Sequence, residues 1–289
     1  MSHHELLEPL TLILEQEVRL DNVRPVGGGS ISSAYALETS AGSYFLKANR
    51  DSTALEMFEA EGDGLTTLKA NSHFAIPRVF GMDKVNGVAY LLMTLIKPAA
   101  RNANYWQALG KNLAELHKVT RESFGYDRAN FIGSLPQTNQ SSGSWGEFFI
   151  LERMTPMINL ARDRGLVDTY FVRKFDLAMP KIISEMPAEP PALIHGDLWS
   201  GNLMVDDNGD ATIIDPAVYF GHREMDISFS LMFGGFSQEF YDSYNDVFPM
   251  ESGFDERVGL YNLYPYLVHL NLFGRSYFGH IEETIRQFT

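Results

Sequence analysis

The chain of 289 residues is 45% hydrophobic and 21% charged, a composition typical of a globular domain and not of a disordered or fibrous protein. Its formal net charge of −14 disfavours sequence-independent nucleic-acid binding, which depends on basic surface. The absence of cysteine excludes disulfides, thiolate metal sites and a cysteine nucleophile.

The N-terminus and the apolar stretches lack the usual targeting and membrane signals. Residues 1–10 include acidic side chains and no basic region before an apolar run, which argues against a signal peptide. The longest mainly apolar stretch, Val88–Ile96, is too short to span a bilayer. We therefore expect a soluble cytoplasmic protein without membrane or nucleic-acid partners. The acidic charge also fits a cationic, amine-bearing substrate, although solubility alone explains it.

The N-terminal third alternates between short apolar runs and turns, which is typical of a β-rich unit with a few helices. Thr53 and Glu56 fit a capping box that opens a helix. The predicted elements are helix Glu5–Arg19, strands Val23–Val26, Ala34–Glu38 and Ser43–Lys47, helix Thr53–Ala70, and strands Pro77–Phe80 and Val88–Met93.

After Pro98 the pattern is mainly helical, with short strands around a polar motif. The sequence therefore predicts an α+β, bilobal fold, with a small β-rich lobe over residues 1–96 and a larger, mainly helical lobe over residues 97–289. The C-terminal elements are a helix containing Trp106–Leu116, helices Trp145–Arg164 and Thr169–Met186, strands Leu193–His195, Leu203–Val205 and Thr212–Ile214, and helices from Glu224 onward.

The polar motif is His195–Asn202, with the sequence HGDLWSGN, followed by Asp215 at the end of a predicted strand. A loop between two short strands can direct Asp197 and Asn202 into one cleft. Phosphoryl transfer needs a carboxylate that accepts the proton of the attacking hydroxyl, and oxygen ligands for Mg²⁺. Asp197 suits the first role, and Asn202 and Asp215 suit the second. A plain turn explains a single Asp-Gly pair, but it explains the whole ordered set poorly.

A glycine-rich segment precedes this motif in the N-terminal lobe. Gly27, Gly28, Gly29 and Ser30 lie between two predicted strands, where glycine lets the backbone approach phosphate closely. The segment matches neither a Walker A loop nor the dinucleotide-binding GxGxxG pattern, and alone it is also a common flexible turn.

Lys47 ends a predicted strand, and the helix that follows carries a candidate partner. Glu61 falls on the apolar face that includes Phe58 and Leu65. A carboxylate that faces a core is unfavourable unless it is paired, so we expect an ion pair between Lys47 and Glu61. Kinases use such a pair to hold lysine against the nucleotide phosphates. Glu59 is the alternative partner if the helical phase differs.

The end of the last N-terminal strand is a candidate adenine site. Thr94, Leu95 and Ile96 follow a buried run at the expected hinge, where their backbone groups could bind the edge of adenine. A plain core strand explains the same residues equally well.

The motif His195–Asn202, the triplet Asp215–Ala217 and the segment Gly221–Asp226 together resemble the fructosamine (ketosamine) kinase family. The resemblance extends over most of the chain. The first motif without its tryptophan is shared by choline, homoserine and aminoglycoside kinases, whereas the tryptophan form with Gly221–Asp226 is more specific. Other matching segments are Gly27–Gly29, Lys47, Met57–Glu61, Asn130–Gly133, Pro136-Gln137 and Trp145–Phe149.

The resemblance implies a protein-kinase-like fold of the aminoglycoside-phosphotransferase type. It also implies an ATP- and Mg²⁺-dependent kinase for a sugar hydroxyl of a ketosamine, the adduct that forms when a sugar glycates an amine. The activity is linked to deglycation, and the implied partner is a small ketosamine or a glycated amine. Asp197 corresponds to the catalytic base, Asn202 and Asp215 to Mg²⁺ ligands, and Lys47 with Glu61 to the phosphate-binding pair.

Several further residues are candidates for substrate contact. Trp199 could pack on the sugar or on the amine side, or it could simply support the loop. His195, His222 and Arg223 are also assigned to substrate binding, with loop support as the alternative for His195. We expect Asp226 to brace the catalytic loop and to begin the next helix.

Other functions compete with this one. A kinase for choline or an aminoglycoside would share the transfer chemistry, but Trp199 with Gly221–Asp226 disfavours it. A catalytically dead pseudokinase is disfavoured because all four residues of the transfer chemistry are present: Lys47, Asp197, Asn202 and Asp215. A protein kinase is disfavoured because the short stretch between Asp215 and Met225 leaves little room for an activation segment.

Overall fold

The computed structural model describes residues 3–27 and 31–289. The strands are β1 (Leu20–Val26), β2 (Ser33–Thr39), β3 (Gly42–Asn49), β4 (Val79–Val85), β5 (Val88–Thr94), β6 (Asn130–Ile132), β7 (Leu135–Gln137), β8 (Ala192–Ile194), β9 (Leu203–Val205), β10 (Ala211–Ile213) and β11 (Tyr219–Gly221).

The helices are α1 (His3–Leu14), α2 (Ala54–Asn71), α3 (Tyr105–His117), α4 (Trp145–Phe148), α5 (Thr155–Asp163), α6 (Thr169–Ser184), α7 (Glu224–Met232), α8 (Gln238–Val247), α9 (Phe254–Tyr261), α10 (Leu263–Phe273) and α11 (Phe278–Arg286). A π-helical turn, Phe149–Met154, joins α4 to α5, and 3₁₀ turns cover Ser200–Asn202 and Arg275–Tyr277.

Within the described ranges, β1 to β5 form a five-stranded antiparallel sheet in the order β1-β2-β3-β5-β4. Because successive side chains of a strand point to opposite faces, β3 contributes to two packing surfaces. Leu46 on one face joins a core with Leu6 and Leu10 of α1. Phe45 on the other face packs against the core that includes Phe58 of α2. Lys47 follows Phe45 by two positions and therefore lies on the α2 side.

Helix α2 contributes to the cores of both halves of the molecule. Phe58 and Leu65 pack against the sheet residues Leu91 and Met93. Leu68, near the end of the helix, instead belongs to the core of the helical half. The helix that carries Glu61 is therefore packed against both parts of the chain.

The helical half surrounds two short antiparallel strand pairs that frame the polar motif. β8 pairs with β11, and β9 pairs with β10, both antiparallel. α3 and α8 approach closely at Gly110, where a Cβ atom would collide with the backbone oxygen of Phe240. No helix within residues 3–27 and 31–289 combines the length and apolar character that a membrane span requires.

The mixed fold with a β-rich N-terminal part and a helical C-terminal part confirms the predicted class. The N-terminal sheet ends at Thr94. The predicted boundary after Ile96 thus falls in the segment between β5 and α3.

Some predicted elements differ from the structure. The first helix ends at Leu14 instead of Arg19, because Glu15 adopts a left-handed conformation with φ of 53°. The capping box at Thr53 is wrong: its φ of −92° and ψ of 1° are not the extended values of a capping residue, and its side chain makes no cap hydrogen bond.

Three-residue strands and a helix irregularity also escaped prediction. The helix predicted over Trp145–Arg164 is divided by the π-helical turn Phe149–Met154. The hairpin of β6 and β7 and the strand β11 were missed, because three residues are too few to display an alternating pattern. The equally short β8, β9 and β10 were predicted because they bracket the polar motif.

Candidate functional site

The loop between β8 and β9 carries the predicted catalytic motif. The Nδ2 group of Asn202 donates hydrogen bonds to the backbone oxygen of Asp197 at 2.8 Å and to its Oδ2 at 2.9 Å. The two polar side chains therefore meet at one place, although five positions separate them.

Asp226 at the start of α7 holds the beginning of this loop. Its carboxylate accepts hydrogen bonds from the backbone N–H groups of His195 at 2.7 Å and Gly196 at 2.9 Å. The Nε2 atom of His117 lies 3.2 Å from the same carboxylate. Gly196 has φ of 80° and faces the backbone oxygen of Ala217, so a side chain there would collide. These contacts place Asp226 in the bracing position that the sequence predicted.

The environment of Asp197 favours proton acceptance near neutral pH. Burial raises the pKa of Asp197 to about 7, although the hydrogen bond from Asn202 opposes the rise. The neighbouring carboxylates of Asp215 and Asp226 raise it further. A general base acts best when its pKa is close to the working pH. The cavity beside Asp197 has a volume of about 20 Å³, and Met225, Tyr264 and His269 contribute to its lining.

Lys47, Glu61 and Asp215 form an ion cluster across the two halves of the chain. The Nζ atom of Lys47 lies 2.7 Å from Oε1 of Glu61 and 2.5 Å from Oδ1 of Asp215. The alternative partner Glu59 instead lies 3.7 Å from Arg128. The helical phase inferred from the apolar face of α2 is therefore the phase that the structure has.

The charges of this cluster depend on one another. Burial alone would lower the pKa of Lys47, but the carboxylates of Glu61 and Asp215 raise it above its usual range. Burial raises the pKa of Glu61 despite the opposing effect of Lys47, and the charge of Asp215 adds to the rise. Lys47 therefore stays protonated. Asp215, with 43% of its side chain exposed, is the member of the cluster that remains open to the cleft.

Helix α2 is attached to the C-terminal half beside this cluster. The hydroxyl of Tyr126 donates to Oδ2 of Asp63 at 2.8 Å and lies 2.7 Å from the hydroxyl of Thr67. A Cβ atom at Gly64 would lie 3.1 Å from Cγ of Pro216, the residue after Asp215. The helix that bears Glu61 is therefore fixed to the segment that bears Asp215.

The predicted adenine site follows directly on β5. The backbone N–H of Thr94 donates to the oxygen of Arg78 at 2.9 Å, and its Oγ1 accepts from the N–H of Arg78 at 3.2 Å. Both groups of Thr94 are therefore engaged in hydrogen bonds to the chain at the start of β4. Leu95 and Ile96 continue the chain and are half-buried.

Of the glycine-rich segment, the structure describes only the flanking residues, up to Gly27 and from residue 31 onward. The predicted phosphate contacts Gly28, Gly29 and Ser30 lie outside the described residues. β1 and β2 pair on either side of them, with Val26 opposite Ala34.

Trp199, within the motif, packs against the C-terminal end of α7. Its ring is 5.7 Å from the ring of Phe233 in an edge-to-face arrangement. It also covers Gly201, where a Cβ atom would collide with the indole. Trp199 is half-buried and thus packs on the loop while keeping part of its surface exposed.

The substrate contacts predicted for His195, His222 and Arg223 do not fit their positions. All three are buried and bound to protein groups. The Nε2 atom of His195 lies 3.0 Å from the oxygen of Ile214, and that of His222 lies 3.2 Å from the oxygen of Pro187. Arg223 forms a two-pronged ion pair with Glu189 at 2.7 and 2.8 Å. These side chains support the loop and the start of α7.

A buried arginine that the sequence did not single out lies on the π-helical turn. Arg153 donates to the oxygen of Thr138 and to Oδ1 of Asn139, both at 2.6 Å, and its guanidinium lies 3.9 Å from the ring centre of Tyr219. It also donates to the backbone oxygen of Glu152 at 3.0 Å, so these three hydrogen bonds go to backbone and amide oxygens. One signal was available: Arg153 follows Phe149 by four positions and therefore shares its apolar helix face.

This arginine is part of a polar network that reaches the chain after Asp215. Nδ2 of Asn139 donates to Oδ1 of Asn130 at 3.0 Å. Nδ2 of Asn130 in turn donates to the oxygen of Val218 at 2.7 Å. The network holds the β6–β7 hairpin against the segment that contacts the catalytic loop.

Comparison with known proteins identifies the family. A family model described as fructosamine kinase matches residues 4–289. A chloroplastic protein-ribulosamine 3-kinase of Arabidopsis thaliana is 38% identical over 264 residues, which cover 90% of this chain and 80% of that protein.

Solved structures agree on the fold. A Thermobifida fusca structure assigned as a fructosamine-3-kinase has a TM-score of 0.88 and 32% identity, covering 99% of this chain and 98% of that one. An aminoglycoside phosphotransferase has a TM-score of 0.62 at 15% identity, covering 98% of each chain, which is evidence for the fold alone. The chain belongs to the fructosamine kinase family.

Proposed function

We propose that this protein transfers the γ-phosphoryl group of ATP to a sugar hydroxyl of a ketosamine. The observation that carries the proposal is the convergence of Lys47, Asp197, Asn202 and Asp215 on one cleft. Family membership supports the substrate class, since a relative is named a protein-ribulosamine 3-kinase. A role in deglycation is part of the same proposal.

Asp197 accepts the proton of the attacking hydroxyl. It is held by Asn202, and the loop that carries it is braced by Asp226. Its raised pKa, about 7, gives the carboxylate enough basicity to take a proton at neutral pH.

Lys47 binds the nucleotide phosphates, and Glu61 orients it. Because Lys47 stays protonated, it supplies positive charge in a protein whose net charge is −14. The backbone of Gly28, Gly29 and Ser30 is proposed to add phosphate contacts.

Asn202 and Asp215 are the proposed Mg²⁺ ligands. The donor set fits, because Asn202 uses Nδ2 for its bonds to Asp197, which leaves its Oδ1 as a hard oxygen donor. Asp215 adds a partly exposed carboxylate. When bound, Mg²⁺ neutralises charge on the nucleotide phosphates.

The two halves of the fold divide these tasks. We propose that residues 1–96 form the nucleotide-binding lobe and residues 97–289 the catalytic and substrate-binding lobe. The backbone of Leu95 and Ile96 is the better candidate for adenine contact, because the N–H of Thr94 is already bound to Arg78. Trp199 is the proposed contact for the sugar. A cytoplasmic location is part of the same proposal.

The experiment is a phosphorylation assay with Mg·ATP and a panel of fructosamine, ribulosamine, choline and an aminoglycoside. We expect phosphorylated ketosamine, identified by mass spectrometry, and no comparable product from the other compounds. Turnover of choline or the aminoglycoside without turnover of either ketosamine would contradict the proposal. ATP binding without any transfer would indicate a pseudokinase.

A further inference from the structure

His269 on α10 forms part of the wall of the cavity beside Asp197. Its Nδ1 atom lies 2.7 Å from the backbone oxygen of Pro265. A carbonyl oxygen can only accept a hydrogen bond, so Nδ1 carries the proton in the neutral ring. The Nε2 atom then holds a lone pair. Burial lowers the pKa of His269, which favours this neutral form.

Several aromatic rings lie around this imidazole. The ring centres of Phe233 and Tyr277 lie 5.1 and 5.0 Å from that of His269, and that of Phe273 lies at 5.4 Å. Phe233 and Phe273 remain 43% and 54% exposed. Phe233 also contacts Trp199. The aromatic surface thus runs from the catalytic loop to solvent.

An imidazole lone pair beside aromatic rings attracts a cationic N–H group more strongly than a neutral one. Asp197 and His269 line the same cavity, so a ligand group bound at Asp197 lies close to His269. A ketosamine carries a protonated secondary amine only a few bonds from its sugar hydroxyls. With a hydroxyl at Asp197, that amine falls within reach of the same small cavity.

We propose that His269 positions the substrate by accepting, at Nε2, a hydrogen bond from the protonated amine of the ketosamine. The substituent of the amine then leaves across Phe233 and Phe273. This inference rests on the proposed function and adds the group by which the site distinguishes a glycated amine from a free sugar.

The test compares two substrates that differ only in the amino group: fructosamine, which is 1-amino-1-deoxyfructose, and 1-deoxyfructose, which lacks the nitrogen. His269→Phe keeps an aromatic ring but removes the acceptor, whereas His269→Gln retains an acceptor oxygen. Hydrogen bonds to charged groups predict a loss of kcat/KM of about 10- to 100-fold for the fructosamine with His269→Phe. The loss is expected mainly in KM. We expect a change of less than about 3-fold for 1-deoxyfructose, and partial recovery with His269→Gln.

His280, an exposed histidine on the following helix, provides the matched control. His280→Phe should leave both substrates unaffected. Equal losses for the two substrates with His269→Phe would overturn the inference while leaving the proposed function intact. If the unmodified protein phosphorylates no ketosamine, the proposed function itself fails, and the inference fails with it. Should His269→Phe not melt cooperatively, His269→Leu serves for the same comparison.

Discussion

Lys47 and Asp215 are separated by 168 positions in the sequence, yet Nζ and Oδ1 lie 2.5 Å apart. The contact joins the central strand of the N-terminal sheet to the end of β10. Glu61 completes the cluster from α2, which is itself fixed to the C-terminal half through Tyr126. The two halves therefore meet at a charged centre whose groups suit nucleotide binding.

Replacement of Lys47 tests its proposed role in nucleotide binding. In Lys47→Met the nucleotide loses its lysine contact and Glu61 loses its cation, so we expect kcat/KM for ATP to fall by about 10²- to 10³-fold. Thermal stabilisation by Mg·ATP should also decrease. Lys69→Met, on the exposed side of α2, is the control. Unchanged ATP kinetics in Lys47→Met would contradict the assigned role.

Tyr126 tests the attachment of α2. Tyr126→Phe removes the hydroxyl that joins Asp63 and Thr67, so we expect the free energy of unfolding to fall by about 1 kcal/mol. Amide hydrogen exchange in α2 should become faster. The matched control is Tyr170→Phe, because Tyr170 is exposed. Wild-type exchange in α2 of the Tyr126 variant would show that the attachment has no effect on the helix.

Arg153 tests the buried network behind the site. Arg153→Met leaves the buried oxygens of Thr138 and Asn139 without their donor, and we expect a loss of about 2–4 kcal/mol in the free energy of unfolding. Arg153→Lys should restore little, because an ammonium cannot reproduce the two-pronged geometry. Urea denaturation measures both variants, with Arg162→Met at an exposed position as control. If Arg153→Met lowers the free energy of unfolding no more than Arg162→Met does, the network does not stabilise the fold.

The burial of His222 leads us to expect a loss of stability in mild acid. Burial lowers its pKa to about 4, and the N–H of Glu224 donates to its Nδ1 at 3.2 Å. Between its usual pKa of about 6.5 and this folded value, the unfolded chain binds a proton that the folded chain excludes. Stability should therefore fall as pH decreases through this range, and His222 contributes roughly 1.4 kcal/mol for each pH unit.

The measurement is the free energy of unfolding of wild type and His222→Gln at about pH 7 and about pH 5. The variant should lose about 2 kcal/mol less than wild type between the two values. His280→Gln, at an exposed histidine, should retain the wild-type dependence. Parallel pH dependences for wild type and His222→Gln would contradict a buried neutral histidine at this position.

The sequence predicted the fold class and the Lys47–Glu61 pair because both depend on local periodicity. The apolar face of α2 fixed the direction of Glu61, and a carboxylate facing a core needs a cation such as Lys47 at the end of the preceding strand. The position of Asp226 was also predictable, since it ends the family-like segment Gly221–Asp226 and lies in the first turn of α7.

The missed features depend on contacts between distant parts of the chain. Arginine is rarely buried, and the partners of Arg153 are a backbone oxygen and an amide on the β7 side of a short hairpin. His222 and Arg223 look like exposed polar candidates in sequence. Only the folded chain brings Pro187 and Glu189 over them and buries them.

Asp197→Asn provides the most direct test of phosphoryl transfer by this site. The amide keeps the size of the side chain but cannot accept the substrate proton, so kcat for ketosamine phosphorylation should fall by about 10²- to 10⁴-fold. Stabilisation by Mg·ATP should persist. Asp207→Asn, an exposed aspartate on the next turn, should retain wild-type kcat. Wild-type kcat in Asp197→Asn would contradict the central claim.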